Sequence, residues 1–163
     1  MDKNPLMEKT EEVVSQGGLL ARLYFDIHAK SKEGLKDLAV GFSSTLKQAE
    51  GVVFAISEIE EPMEEQGTFS TYITATLLFE DPKSLFSFII KHTPLSVEVL
   101  KPEKLEVRAS DLSEAALLVS SSLYDLKMKM YSTSLGQDEK SYIEQVIKHR
   151  QEIGRKLRGG SDG

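Results

Sequence analysis

An aspartate and a histidine two residues apart are the side chains of this sequence best suited to acid–base chemistry. Asp26 and His28 lie in a stretch where apolar and polar residues alternate, and a period of two is typical of a strand with one buried face. Residues two apart on a strand point to the same side, which places the carboxylate beside the imidazole. General acid–base catalysis uses that pairing. One hypothesis is therefore an enzyme that acts through Asp26 and His28.

The same predicted strand face, together with that of a later strand, offers a platform for a small ligand. Its candidate binding residues are Arg22, Tyr24, Asp26, His28, Tyr72 and Thr74. Two other interpretations stay open: an ordinary solvated face, since antiparallel sheets often leave one face in water, or a face covered by a C-terminal helix. The two tyrosines are also compatible with an RNA-binding sheet, where aromatic rings stack on bases.

Composition argues against several other kinds of site. The 163 residues include no cysteine, which excludes disulfides and zinc–thiolate centres, and the net charge is -6 with a pI of about 5.2. An acidic chain repels phosphates, which argues against a nucleic-acid partner. The three histidines are too scattered for a metal signature, and no glycine-rich phosphate loop is present. We therefore expect neither a metal nor a cofactor.

The chain shows no sign of a membrane partner. No apolar run approaches the roughly 20 residues of a membrane span, and the N-terminus lacks the apolar core of a signal peptide. We therefore expect a cytoplasmic protein. Asn4 is the only asparagine and 28% of the residues are charged, which is typical of a thermophilic source.

Hydrophobic patterns and turn signals predict an alternation of strands and helices. In order, we predict a strand at 22–29, a helix at 35–49, strands at 52–60 and 68–79 joined by a turn at 61–67, a helix at 82–92, and a strand at 97–100 and 105–109 interrupted at Pro102. This βαββαβ order predicts an α+β, ferredoxin-like sandwich. Right-handed crossovers then give the strand order 4-1-3-2, with both helices on one face.

Apolar positions on these elements predict the core. We expect six of them to be buried: Phe25, Ile27, Phe42, Ile73, Leu77 and Ile89. In the helix at 82–92, the predicted apolar face consists of Leu85, Phe86, Ile89 and Ile90.

Two amphipathic helices are predicted after residue 110. The first has the clearest periodicity in the chain, with an apolar residue every three or four positions: Leu112, Ala116, Val119, Leu123, Leu126 and Met130. Such spacing over about three heptads is typical of a helix that packs against another helix. We predict that this stripe forms a homo-oligomer interface, most simply a dimer. A hairpin with the last helix is the alternative.

One segment resembles a known family. The sequence V-E-V-L-K-P-E-K-L at residues 97–105 is similar to the end of the C-terminal extension in WYL-type transcriptional regulators, and the similarity covers at most residues 68–131. In those regulators the element closes a small ferredoxin-like module that senses a ligand. The chain has neither their W-Y-L core nor a readable helix-turn-helix, so the resemblance implies the module alone.

Together these patterns predict four parts: a mobile lead-in at 1–18, a ferredoxin-like domain at 19–110, C-terminal helices at 111–158 and a frayed tail at 159–163. We interpret the protein as a non-enzymatic module for self-association, with small-ligand sensing or complex assembly as further roles. An enzyme built on Asp26 and His28, and an RNA-binding sheet, are the alternatives.

Overall fold

The computed structural model of the protein describes residues 4–133 and 136–159. It divides the chain into two compact units, Met1–Ala116 and Leu117–Gly163. The first unit contains an antiparallel sheet and its helices, whereas the second is helical throughout its described elements. The predicted α+β class, a ferredoxin-like sandwich followed by two C-terminal helices, is confirmed.

The first unit alternates strands and helices as the sequence patterns predict. Its elements are α1 (Pro5–Ser15), β1 (Leu19–Ala29), α2 (Lys32–Leu46), β2 (Val52–Ile59), β3 (Met63–Glu65), β4 (Thr68–Phe79), α3 (Pro82–His92), β5 (Ser96–Lys101) and the start of α4 (Ala109–Ser132). The sheet order is β2-β4-β1-β5, and β3 pairs with β4. This is the predicted order, with β5 as the fourth long strand.

Side-chain caps begin the two helices that cover the sheet. The Ser31 hydroxyl accepts a hydrogen bond from the Gly34 amide at 3.1 Å, at the start of α2. The Asp81 carboxylate accepts one from the Ser84 amide at 2.7 Å, and Pro82 follows as the first residue of α3. These contacts satisfy amides that have no partner within the helix. Thr93, with a left-handed φ of 45°, ends α3.

The core lies between one face of the sheet and the helices α2 and α3. Its members include Leu23, Phe25, Leu77 and Leu85. Of the six residues predicted to be buried, Phe25, Ile73 and Leu77 are buried, whereas Ile27, Phe42 and Ile89 are partly buried and pack against the core. The alternation in β1 and β4 therefore assigns the buried face correctly.

Three segments differ from the sequence-based expectation. Residues 5–15 of the predicted lead-in form the helix α1, in which Thr10 and Val13 are buried; residues 1–3 lie outside the described part. The predicted turn at 61–67 includes the short strand β3. The strand predicted at 105–109 is wrong, because β5 ends at Lys101 and α4 begins at Ala109. Proline has no amide to donate to a ladder, so Pro102 ends the strand.

The second unit contains the remainder of α4 and the helix α5 (Gln137–Gly159). Of the tail predicted at 159–163, only Gly159 lies among the described residues. None of the described helices has the length and apolar character needed to cross a membrane.

Candidate functional site

The sheet face opposite α2 and α3 carries its polar side chains in cross-strand rows. The register aligns the two central rows as Arg22–Thr76–Ile56 and Tyr24–Thr74–Glu58, each from β1 through β4 to β2. On the other side of β1, the Arg22 guanidinium contacts the Glu98 carboxylate of β5 at 3.3 Å. Both side chains are about half exposed, so this ion pair contributes little to stability. The alternation of β1, with Ala21 and Leu23 buried on the other side, places Arg22 on the exposed face.

These two rows surround a shallow depression of about 320 Å³. It is lined by Arg22, Tyr24, Ile56, Glu58, Thr74 and Thr76. Three of the six predicted binding residues therefore share one cavity: Arg22, Tyr24 and Thr74. The other three lie on the same face but outside this lining: Asp26, His28 and Tyr72.

Asp26 and His28 form the close pair that their spacing predicts. The His28 Nε2 atom lies 2.7 Å from a carboxylate oxygen of Asp26, within hydrogen-bond distance. The His28 side chain is 57% exposed and that of Asp26 is 40% exposed. Water therefore reaches both groups, and the pair lies beside the depression instead of within it. This geometry does not bring the pair to a substrate held among Arg22, Thr74 and Thr76.

The exposed face does not extend along the whole sheet. The next row toward the start of β1 consists of Leu20, Leu78 and Phe54. Leu78 is fully buried, whereas Leu20 and Phe54 are half-buried, so this end of the face is apolar and largely covered. The candidate site is thus limited to the polar middle of the face and to the end near His28.

The depression combines groups that bind small polar molecules. Arg22 presents several N–H donors, of which one contacts Glu98, while Thr74 and Thr76 supply hydroxyls and Glu58 a carboxylate. A guanidinium is well suited to hold a carboxylate. The described residues contain no group of three or more His, Asp or Glu side chains placed to hold a metal ion.

Sequence patterns alone did not assign Ile56 and Glu58 to this site. Both are in β2, whose register against β4 shifts between Val52 and Phe54. A shift of one residue reverses which side chains point to each face of a strand. The polar character of Glu58 is visible in the sequence, but the face on which it lies is not.

A second candidate surface lies on α4, where apolar side chains remain exposed. In the second unit Leu123, Leu126 and Met130 are 53%, 55% and 66% exposed, and Val119 is half-buried. In the first unit Leu112 is 59% exposed and Ala116 is exposed as well. All six residues of the predicted stripe lie on α4, and none of them is fully buried.

Within the second unit, α4 and α5 contact each other through other residues. The Arg150 guanidinium lies 4.1 Å from the centre of the Tyr124 ring, and Ile143 is buried. On α4 the half-buried positions include Leu118, Ser122 and Asp125, which recur at the same spacing as the stripe but one residue earlier, about 100° around the helix from Leu123 and Leu126. The face of α4 that is partly covered in this unit therefore includes only Val119 of the predicted stripe and leaves Leu123, Leu126 and Met130 exposed.

Comparisons with known proteins match the chain to a family model. Neither the curated proteins nor the solved structures contain a significant match to the chain. A family model matches residues 20–152, which include the sheet except Leu19, all of α4 and most of α5. The chain therefore belongs to the MJ0538 family.

Proposed function

We propose that this protein is a non-enzymatic module that self-associates through α4 and binds a small ligand on the exposed sheet face. The observation that carries the first part is the apolar stripe on α4. Its residues in the second unit are more than half exposed at three positions, although α5 lies in the same unit. Contiguous exposed apolar surface usually marks an interface.

A second copy of the chain is the simplest partner for this stripe. The residues recur at alternating spacings of three and four, from Leu112 to Met130, and helices with that pattern pack against a like helix. A closed dimer is the commonest symmetric assembly, because one surface then pairs with itself. In this proposal the α4 helices of two copies bury each other's stripe.

Sedimentation velocity at about 10–100 µM protein tests the association. We expect the wild-type chain to sediment as a dimer and Leu126→Glu to sediment as a monomer, since a buried carboxylate without a partner is costly. Ser121→Glu is the matched control, because Ser121 is exposed on α4 and lies on the other side of the helix from the stripe. Circular dichroism should show equal helix content in all three. A wild-type monomer over this range would refute the proposal.

The exposed sheet face favours a small carboxylate as its ligand. The Arg22 guanidinium has one contact with Glu98, at 3.3 Å, and the two threonine hydroxyls lie beside it in the depression. The resemblance of residues 97–105 to the ligand-sensing extension of WYL-type regulators supports the same role. A chain of phosphates would meet Asp26, Glu58 and Glu98 together, which makes RNA a poorer candidate than a ligand with a single carboxylate. Glu58 and Glu98 also weaken the attraction of that single carboxylate to Arg22, so its binding should be weak.

An NMR titration with acetate and succinate tests this site. We expect shifts in the amides of Tyr24, Thr74 and Thr76, and loss of these shifts in Arg22→Gln. Arg108→Gln is the matched control, since its side chain is 87% exposed and lies outside the depression. Shifts that persist in Arg22→Gln would exclude the assigned role of the guanidinium.

Catalysis by Asp26 and His28 is the remaining alternative. If the pair were catalytic, an activity found by substrate screening would disappear in Asp26→Asn and persist in Arg22→Gln. We expect no such activity, because both side chains are exposed to solvent and lie outside the cavity.

A further inference from the structure

A second cleft, larger than the depression on the sheet face, lies on the helix side of the first unit. Its volume is about 570 Å³, within the range of small-molecule sites. Its walls are the first half of α2 and the segment that follows β2. It is lined by Lys32, Glu33, Leu35, Lys36, Ala39, Val40, Ile59, Glu60, Glu61, Pro62 and Thr71. Neither the α4 stripe nor the exposed sheet face contributes to it.

The interior of this cleft is apolar. Leu35 and Ala39 are buried, whereas Val40 is 49% exposed and Ile59 is 42% exposed. The hydroxyl of Thr71 already donates a hydrogen bond to the Glu60 carbonyl at 2.6 Å, so it has no free hydrogen for a ligand. An occupant would therefore gain from covering Val40 and Ile59, and any polar recognition must come from the rim.

The rim carries opposite charges on its two walls. Lys32 and Lys36 lie one helical turn apart on α2, and Glu60 and Glu61 lie on the other wall. None of these four side chains forms an ion pair or a side-chain hydrogen bond within the described part of the chain. Glu33 lies beside the lysines and leaves the helix wall with one net positive charge. The cleft thus presents an apolar floor between a cationic and an anionic wall.

We propose that this cleft binds a short apolar peptide with free termini. Such a peptide has an apolar body, an ammonium group at one end and a carboxylate at the other. The ammonium group would face Glu60 and Glu61, and the carboxylate would face Lys32 and Lys36. A fatty acid matches only half of this pattern, because its uncharged end would leave the acidic wall unpaired. The arrangement of charge therefore favours a ligand that has a positive charge at one end and a negative charge at the other.

An NMR titration of the full chain with Leu-Leu-Leu tests the proposal. We expect shifts at the amides of Val40, Ile59 and Thr71. Acetylating the N-terminus or amidating the C-terminus should each weaken binding about fivefold, since one exposed charge pair is lost. Lys36→Gln and Glu61→Gln should weaken binding of the free peptide to a similar extent.

Combining each variant with a capped peptide tests whether the two charges that were removed contact each other. Glu61→Gln should have no further effect on the acetylated peptide, and Lys36→Gln none on the amidated one, because the partner charge is already absent. Lys47→Gln and Glu64→Gln, which change charges outside the cleft lining, should leave the affinity unchanged. All variants alter exposed side chains, so their folds should match the wild type by circular dichroism.

Three results would overturn the proposal. The first is the absence of shifts at these amides up to millimolar peptide. The second is equal affinity for free and doubly capped peptides, which would mean an apolar patch without recognition of the termini. The third is octanoate binding at least as tightly as Leu-Leu-Leu and more tightly still to Glu61→Gln, which would mean a fatty-acid site.

Discussion

His92, in the last turn of α3, packs against aromatic rings in surroundings that lower its pKa. Its ring centre is 4.3 Å from that of Phe88 and 5.9 Å from that of Phe42. Its Nε2 atom is buried and has no hydrogen-bond partner among the described residues. Burial lowers the pKa of His92 below its ordinary value, and the nearby Lys91 lowers it further. A helix C-terminus favours a cation, so here burial outweighs the helix dipole.

We expect acid to destabilise the fold through His92. Because its folded-state pKa is lowered, the unfolded chain binds the proton first as the pH falls. The stability that depends on neutral His92 is complete above the unfolded pKa of about 6.5, decreases below it, and is lost below the folded pKa. His92→Phe, which keeps an aromatic ring, should flatten the change in unfolding free energy between about pH 7 and pH 5, measured with urea. An unchanged slope would contradict this assignment.

The sequence predicts a residue of the candidate site only where the alternation of apolar and polar residues along a strand shows on which face that residue lies. Arg22, Tyr24, Asp26 and His28 alternate with core residues in β1, so their common face follows from the sequence. Glu58 could not be assigned in the same way, because the register shift in β2 decides where it lies. The depression is formed across three strands, and its lining depends on both pairings.

At the scale of elements, α3 shows where helical periodicity misassigns a residue. The predicted apolar face includes Phe86, but that side chain is 36% exposed. Phe88 is buried instead, with its ring centre 5.4 Å from that of Phe79 and 6.4 Å from that of Phe25. Leu85 and Phe88 are three residues apart and share the buried side of the helix. Of the four residues from Leu85 to Phe88, three are aromatic or aliphatic, so the sequence alone fits burial of either phenylalanine. The rings of Phe25 and Phe79 on the sheet pack against Phe88, which is therefore the buried one.

These two phenylalanines give a direct test of the packing of α3. Phe88→Ala should reduce the unfolding free energy by about 3–5 kcal/mol, because it leaves a cavity in the aromatic core. Phe86→Ala should cost clearly less, about 1–2 kcal/mol, because roughly a third of that residue is exposed. Urea denaturation at neutral pH measures both. A reversed order would mean that α3 is rotated relative to the structure.

Two glycines, one inside α2 and one directly before β2, should respond oppositely to alanine. Gly41 is exposed inside α2, and a methyl group there would have no atom within 4 Å. Gly41→Ala should therefore stabilise the protein by roughly 0.5–1 kcal/mol through helix propensity. Gly51 has a φ of 75°, and a methyl group there would collide with the Ser84 side chain. Gly51→Ala should destabilise it by more than about 1 kcal/mol. Equal effects in thermal denaturation would refute this contrast.

At the scale of the whole molecule, the topology was predictable although several element limits were not. The βαββαβ order and the right-handed crossover rule leave few arrangements, and the observed strand order is the one they favour. The strand predicted at 105–109 failed because its apolar residues, such as Leu105 and Val107, are exposed instead of paired. Alternation of apolar residues shows which face a strand could bury, but it does not show that a neighbouring strand is available.

Association through α4 should make thermal stability depend on protein concentration. A partner that binds only the folded chain stabilises it by mass action. For a protein of this size, a tenfold rise in concentration should raise the melting temperature by about 2 °C if dimers dissociate on unfolding. Circular dichroism at 222 nm from about 2 to 200 µM measures this shift.

The matched variants on α4 separate association from folding in the same measurement. Leu126→Glu should show a melting temperature independent of concentration, because its monomer has no second copy to lose. Ser121→Glu should retain the wild-type dependence. Leu126→Glu should melt below the wild type at every concentration but keep the helix content of a folded chain, since Leu126 is 55% exposed within one chain and contributes little to its own fold. A concentration-independent wild type would show that the apolar stripe on α4 does not bind a second copy.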